Sequence, residues 1–338
     1  MRKLKYIIGR IFGMNYKNMF EALNRIHKKT GKNRVIMFFD MVFCAFRYGA
    51  GYMDYEVLCF YNLNSKQRAT YVTRTINNTI IRACNNREYY HIFDNKVEFN
   101  QVFNQYLKRD WLDMRSASKE DLKSFLSGKT AIIAKPVDAS CGEGVQKFTQ
   151  EDFADPEAFY EKLKTDASAQ LLEDYVVQHP ELSALYPYSV NTLRIMTLIK
   201  GETIHIIASI RIGNGGKVVD NINNGGMVTQ INLETGELMY PACDMDGKLY
   251  EIHPMTGHPI KGFVIPYWKE AVALCKEAAL VIPQIRYCGW DVAITPEGPV
   301  FIEGNHLPGH DIYQLPAQVP DRIGGMLPKF KEILGDEI

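Results

Sequence analysis

The stretch Gly289-Trp290-Asp291-Val292-Ala293-Ile294-Thr295-Pro296-Glu297-Gly298-Pro299-Val300-Phe301-Ile302-Glu303-Gly304-Asn305 holds two short apolar runs around a Thr-Pro-Glu-Gly turn. That pattern predicts a β-hairpin. A loop of about three residues sets Asp291 opposite Glu303, with the two Cβ atoms roughly 5 Å apart. Strand alternation then brings Asn305 onto the face of Glu303. Like charges directly opposite each other destabilise a sheet unless something compensates. Two carboxylates and an amide oxygen on one face suit a hard cation such as Mg²⁺, which takes oxygen ligands and is commonly shared with substrate phosphates.

Outward from this hairpin the pattern divides the chain of 338 residues. Residues 1–90 read as a helical, basic region. Residues 91–128 read as further helices with spaced aromatics at Phe99, Phe103, Tyr106 and Trp111. From Thr130 short β runs take over, at 130–134, 169–173, 192–199, 203–212, 227–233 and 237–240, and a helix over 267–281 precedes the hairpin. A helical first part followed by a mixed second part predicts an α+β architecture around an antiparallel sheet. The run 35–60 is rich in Phe, Met and Val but is broken by Asp40, Arg47, Asp54 and Glu56. It is too charged for a spanning segment and reads as a buried helix and loop.

Composition narrows the function class. Lys plus Arg equals Asp plus Glu at 39 each, so the whole chain carries no polyelectrolyte signal for nucleic acid. Residues 1–34 are the exception, with ten Lys or Arg and a single acid, Glu21. Such a start serves as a solvated helix, a membrane-surface patch or a partner site. It lacks the form of a secretory signal. Seven scattered cysteines without a CxxC pair argue against structural zinc and a disulfide framework, and for reduced thiols in the cytoplasm.

Several further motifs carry chemistry. Ile132-Ile133-Ala134-Lys135-Pro136 is a strand ending in a lysine, followed by Ala139-Ser140-Cys141-Gly142-Glu143-Gly144-Val145. A cation beside a small glycine-containing loop can hold phosphates; an ordinary hairpin turn is the plainer reading. Leu172-Glu173-Asp174-Tyr175-Val176 is a strand end whose backbone could read an adenine edge, with Glu181 downstream as an acceptor for ribose hydroxyls. Arg194 and Arg211 stand inside otherwise apolar strands, where a guanidinium needs a partner: a structural carboxylate or a substrate phosphate. Asp220 through Gly226 holds three asparagines before a Gly-Gly pair, more amides than a turn requires. His306 and His310 follow the hairpin, and hydrogen-bonded structural roles are the default for both.

In their order these motifs resemble the ATP-grasp superfamily. More narrowly, 219–226, 257–268 and 289–305 are similar to the sugar-transfer-associated ATP-grasp family, over roughly residues 60–325. The resemblance implies two α+β subdomains that clasp ATP after a mainly helical N-terminal region. The ATP-grasp domain would run over 91–330, with a lid and hinge subdomain near 130–185 and a metal-binding subdomain near 186–330. It further implies Lys96 and Lys135 as phosphate lysines, Ser140, Gly142, Gly144 and Val145 in the lid, and Glu173, Asp174, Tyr175 and Val176 as the adenine hinge, with Glu181 on the ribose. Arg211 would face the γ-phosphate or an acyl phosphate, Arg194 and Asn224 would join it as catalytic residues, and either Asn224 or Asn221 would stand on the metal side. Asp291, Glu303 and Asn305 would hold Mg²⁺. The implied activity is an ATP- and Mg²⁺-dependent ligase that activates a carboxylate for attack by an amine, acting on a small-molecule or saccharide-linked acceptor. A kinase using the same nucleotide residues is the alternative, and a non-catalytic nucleotide-binding scaffold the third reading.

Overall fold

The computed structural model describes residues 15–139, 143–216, 220, 222, 225–318 and 324–338. It forms two compact units, one of residues 1–83 with 309–338 and one of 84–308.

In the first unit, helices α1 (Tyr16–Thr30) and α2 (Arg34–Tyr48) are delimited by their caps. The side chains of Asn15 and Asn33 accept from free amides of the first turns, and Gly31 and Gly49 end the helices in the left-handed conformation. Helical spacing at Met19, Leu23 and Ile26 and at Met37, Met41 and Cys44 builds a core with Tyr55, Phe60 and Tyr71. Beside it Arg68 grips Asp40 through two 2.7 Å bonds, and the Tyr55 hydroxyl donates to the same carboxylate at 2.8 Å. Residues 309–338 join this unit through Gln314, which accepts from the Val72 amide at 3.0 Å and donates to its carbonyl at 2.6 Å. His310 pairs with Asp54 at 2.7 Å, the structural role that is the default for a histidine.

The run 35–60 is not wholly buried. The side of α2 away from the core carries Val35, Ile36, Phe39, Phe43 and Phe46, all exposed. The sequence expectation failed because the charged residues that break the run do not form its outer face: Asp40 turns inward onto Arg68.

The second unit holds two antiparallel sheets. Strands β1 (Trp111–Asp113), β2 (Ala131–Lys135), β3 (Gln146–Thr149) and β4 (Leu171–Asp174) pair in the order β1-β4-β2-β3. Their buried side packs on the helices Lys119–Leu126 and Pro156–Thr165 through Ile132, Phe148, Leu172, Leu122, Phe159 and Leu163. Strands β5 (Leu193–Lys200), β6 (Thr203–Ile212), β7 (Met227–Gln230), β8 (Ala242–Cys243), β9 (Leu249–Tyr250), β10 (Tyr287–Thr295) and β11 (Gly298–Asn305) pair in the order β11-β10-β5-β6-β7-β8-β9. Helix α3 (Lys96–Val102) contributes Phe99 to the core of this larger sheet, beside Phe103, Trp290 and Phe301. The Trp290 and Phe301 rings stack at 4.9 Å.

Three local differences from the sequence reading stand out. Trp111 belongs to a strand, because Lys108 adopts φ 49 and stops the preceding helix. Residues 237–240 make only isolated bridges, such as Ile231 with Leu238 and Glu237 with Val264. Short strand β3 pairs back on β2, so the glycine loop lies between two strands of a hairpin.

Candidate active site

The hairpin β10–β11 sets the first part of the site. Asp291 pairs with Glu303 and Gly289 with Asn305, the register expected, but by another route. The connecting loop is only Pro296-Glu297, since Thr295 pairs with Gly298, and the missing step comes from a β-bulge. Val292 pairs with Phe301, which leaves Ile302 as the extra residue.

Asp291 is almost fully buried and does not face Glu303 alone. Arg194 Nε lies 2.6 Å from one of its oxygens, while Arg194 Nη2 at 3.0 Å and Arg211 Nη2 at 2.7 Å donate to the other. Strand register explains this, because Arg194 of β5 pairs directly with Asp291 of β10. Arg211 also lies 3.6 Å from Asp220, whose carboxylate accepts from the Thr192 amide at 2.9 Å. Burial alone pushes the Asp291 carboxyl upward in pKa, but the two guanidinium charges outweigh it and hold it below its ordinary value. Glu303 goes the other way. Burial and the facing Asp291 charge raise it, and it hydrogen-bonds to Asp291.

A second ion cluster lies at the end of the four-stranded sheet. Lys135, the last residue of β2, pairs with Glu173 at 2.8 Å. Arg109 meets the same carboxylate at 2.9 Å, and Asn100 donates to its other oxygen at 2.8 Å. Burial would raise Glu173; the Arg109 and Lys135 charges overcome it and hold the carboxyl at about 2. Lys96 opens α3, and its ammonium donates to the carbonyls of Ala139 and, at 3.4 Å, Val137. Its pKa is lowered by burial and by the Lys135 charge, and raised by Glu303 and Glu173. The two clusters are thus close enough to feel each other.

The hinge expectation narrows. Glu173 lies between β1 and β2, opposite Trp111 on one side and Ile133 on the other, so it presents no open strand edge. Its side chain faces the lysine. Asp174 opposes Ile132, its amide donates to the Asp110 carbonyl, and its carboxylate pairs with Lys129 at 2.6 Å. Tyr175 and Val176 lie past the strand end, Tyr175 exposed with the Lys147 ammonium 3.8 Å from its ring centre. Glu181 is exposed in the first turn of α4 (Pro180–Leu185). Gly144 takes φ 72, and a Cβ there would come within 3.1 Å of Pro136; Val145 is exposed. Ser140, Gly142, Asn221 and Asn224 fall outside the described residues. The side-chain oxygen of Asn305 accepts from the Leu307 amide at 2.9 Å. His306 is buried against the Tyr90 ring.

One residue without a sequence signal ties the clusters together. Arg109 holds Glu173, and its remaining N–H groups donate to the Phe301 carbonyl and, at 3.3 Å, to that of Ile302, at the bulge itself. In sequence it sits in Lys108-Arg109-Asp110, which reads as a solvated charge run.

The sequence matches the family model described as sugar-transfer associated ATP-grasp over residues 75–321. The chain belongs to this family. No curated protein matches the sequence. Among solved structures it is similar to D-alanyl-alanine synthetase A from Vibrio cholerae at 14% identity and a TM-score of 0.42, over 73% of this chain and 65% of that one. It is similar to the ATP-grasp ligase PsnB with a phosphomimetic variant of its minimal precursor, Mg and ADP at 11% and 0.45, over 75% and 62%. The ADP complex of purK, N5-carboxyaminoimidazole ribonucleotide synthetase, follows at 8% and 0.39, over 65% and 46%. The chain spans less than two thirds of the length of each of these structures.

As members of an ATP-grasp family, the residues can be tested against ATP and a divalent cation. The donor set fits Mg²⁺: Asp291, Glu303 and Asn305 offer hard oxygens, and the Asp291 charge facing Glu303 raises the latter's pKa. Among the described residues no three His, Cys, Asp or Glu side chains form a metal cluster, so such a cation would draw further ligands from elsewhere.

Proposed function

We propose that this chain is an ATP- and Mg²⁺-dependent ligase that activates a carboxylate through its γ-phosphate for attack by an amine or similar nucleophile. The acceptor would be a small molecule or saccharide-linked, as the family's sugar-transfer association suggests. The observation that carries this reading is the convergence of buried and half-buried cations, Lys96, Lys135, Arg194 and Arg211, around the facing carboxylates of Asp291 and Glu303.

Phosphoryl transfer demands positioning and charge neutralisation more than covalent help from the protein. Lys96 and Lys135 supply point charges for phosphate oxygens. Glu173 fixes Lys135, so its ammonium is held before a nucleotide arrives. Arg211 is already charged and oriented by Asp220 and Asp291, which keep its pKa raised despite burial. It offers preorganised charge where a transferring phosphoryl group develops negative charge. Asp291, Glu303 and Asn305 would hold Mg²⁺, which neutralises phosphate charge and aligns the groups that react. Tyr175 and Val176 leave backbone free beyond β4 for an adenine edge.

The test is incubation with ATP, Mg²⁺ and paired saccharide-linked carboxylates and amines, followed by mass spectrometry. The expected product is the two acceptors joined minus water, with ADP and phosphate formed in equal amounts. A phosphorylated acceptor without condensation would replace this reading with a kinase. Absence of ATP consumption with every acceptor would overturn both.

A further inference from the structure

Helix α2 is apolar on two sides. One, Met37, Met41 and Cys44, is used by the core of its unit. The other runs along Val35, Ile36, Phe39, Phe43 and Phe46, with Ile36 69% and Phe39 66% exposed. The spacing keeps these residues on one stripe. The neighbouring helix adds exposed Tyr16 and Phe20, and the Phe20 ring stacks with that of Phe38 of α2 at 6.2 Å. A contiguous aromatic surface of this kind on a water-soluble fold marks a contact site.

Charge identifies what would cover it. Residues 1–34 carry ten Lys or Arg against Glu21 alone. Arg34 and Arg47 stand at the two ends of α2, and Lys28 and Lys29 lie exposed in the last turn of α1. The one acid of α2, Asp40, is paired with Arg68, and Glu56 of the helix that follows is paired with Arg25 at 2.7 Å, which leaves Glu21 of α1 as the single acid among these cations. A two-fold contact between copies would set these same cations against each other. An anionic lipid surface neutralises them, while phenyl and aliphatic side chains enter the boundary between headgroups and chains. We propose that α1 and α2 present a peripheral membrane-binding face, and that its partner is the surface of an anionic bilayer. No helix among the described residues is long and apolar enough to cross a membrane, so the contact would lie along the surface.

The full chain should be sedimented with vesicles of phosphatidylcholine alone and of phosphatidylcholine mixed with phosphatidylglycerol. Binding is expected to the mixed vesicles, falling as salt is raised. Ile36→Ser combined with Phe39→Ser should cut partitioning at least about tenfold, given the transfer free energy of two such side chains, with Tm unchanged because both lie outside the core. Lys28→Glu with Lys29→Glu should weaken binding only to the mixed vesicles. The proposal falls if the wild-type chain stays in the supernatant with both lipids, or if the Ile36/Phe39 variant partitions like wild type. It also falls if sedimentation velocity shows a dimer that this double substitution abolishes, since a second copy would then own the surface. Deleting residues 1–14 separates a last case: vesicle binding that vanishes with that segment, and is unaffected by Ile36→Ser with Phe39→Ser, places the lipid contact elsewhere and overturns the assignment to α2.

Discussion

Two buried ion clusters lie within the same unit, and their charges are settled in opposite ways. Around Glu173, an ammonium, a guanidinium and an amide satisfy one carboxylate, and its pKa drops to about 2. Around Asp291 and Glu303, two guanidinium groups hold Asp291 below its ordinary pKa, while burial and the Asp291 charge raise that of Glu303. The first cluster is complete within the protein. The second sets three carboxylates, Asp220, Asp291 and Glu303, against two guanidinium groups. Buried acids with perturbed pKa values cluster at functional sites, where like charges are held together for the chemistry. On the proposed reading, the contrast separates a cluster that holds the fold from one that takes a ligand.

The sharpest way to break this comparison is Glu303→Gln. If the second cluster awaits a cation, ATP-dependent turnover should fall by roughly 10³-fold or more, the scale of losing charge stabilisation at a reacting phosphoryl group. The ligand-free variant should be at least as stable as wild type, because the substitution removes a buried like-charge contact. Thermal melts in EDTA and then in Mg²⁺ with ATP check both parts. Mg²⁺ with ATP should raise Tm for wild type only. A large loss of stability in EDTA would mean that Glu303 is structural, and the contrast would collapse.

Glu173→Gln is the matching test of the completed cluster. It leaves Lys135 and Arg109 buried without a counter-charge, which should cost about 3–5 kcal/mol in denaturant unfolding. The pH dependence has a fixed sign. Glu173 has a folded pKa depressed from its ordinary 4.5 to about 2, so its contribution is present above the unfolded value and lost as pH falls through the folded one. That contribution is on the order of 3 kcal/mol. Wild type should therefore lose stability between about pH 5 and pH 2, and the variant should show a shallower acid slope. Equal slopes would remove Glu173 from the account.

How far the sequence reveals these clusters depends on what each residue does. Opposition of Asp291 and Glu303 is legible, since strand alternation and a turn signal are local rules. The bulge that produces it is not. A longer loop and a two-residue loop with a bulge give the same register. The pairing of Arg194 and Arg211 with Asp291 is half legible: a guanidinium inside an apolar strand announces that it has a partner without naming it. Lys135 is visible as a strand end, but its pairing with Glu173 is not, because nothing local shows that β4 is flanked on both sides. Arg109 leaves no signal at all. Its meaning comes from meeting Glu173 and the bulge carbonyls, contacts 64 and 192 residues away. The outer face of α2 is missed because periodicity cannot tell which charged residues turn inward.

Arg109 makes the comparison quantitative, since it touches both sides. Arg109→Lys keeps a cation for Glu173 but loses the fork that reaches the Phe301 and Ile302 carbonyls. Stability should fall by about 1–3 kcal/mol, the cost of leaving buried carbonyls unsatisfied. The bulge should loosen, so the Mg²⁺ concentration for half-maximal ATP binding should rise several-fold, while ATP-independent properties of the Lys135 side change little. Titrating Mg²⁺ against a fixed ATP concentration by thermal shift reads this directly. A uniform loss at every Mg²⁺ concentration would mean that Arg109 serves the Glu173 cluster alone.

Asn305 should give the smallest effect. Its side-chain oxygen accepts from the Leu307 amide, so it is at once a candidate cation ligand and the residue that shapes the turn after β11. A carboxylate ligand carries full charge and an amide only a dipole, so Asn305→Ala should weaken Mg²⁺-dependent ATP binding less than Glu303→Gln, by roughly tenfold. The lost turn bond adds about 1 kcal/mol of destabilisation. Asn305→Asp separates the two roles. Aspartate can still accept from the Leu307 amide, so Tm in EDTA should stay near wild type. A third carboxylate beside Asp291 and Glu303 would deepen the charge deficit, and Tm should then respond more steeply to Mg²⁺ than in wild type. If Asn305→Asp shows a wild-type Mg²⁺ response, Asn305 shapes the turn and does nothing for the cation, and the incomplete cluster reduces to its two carboxylates.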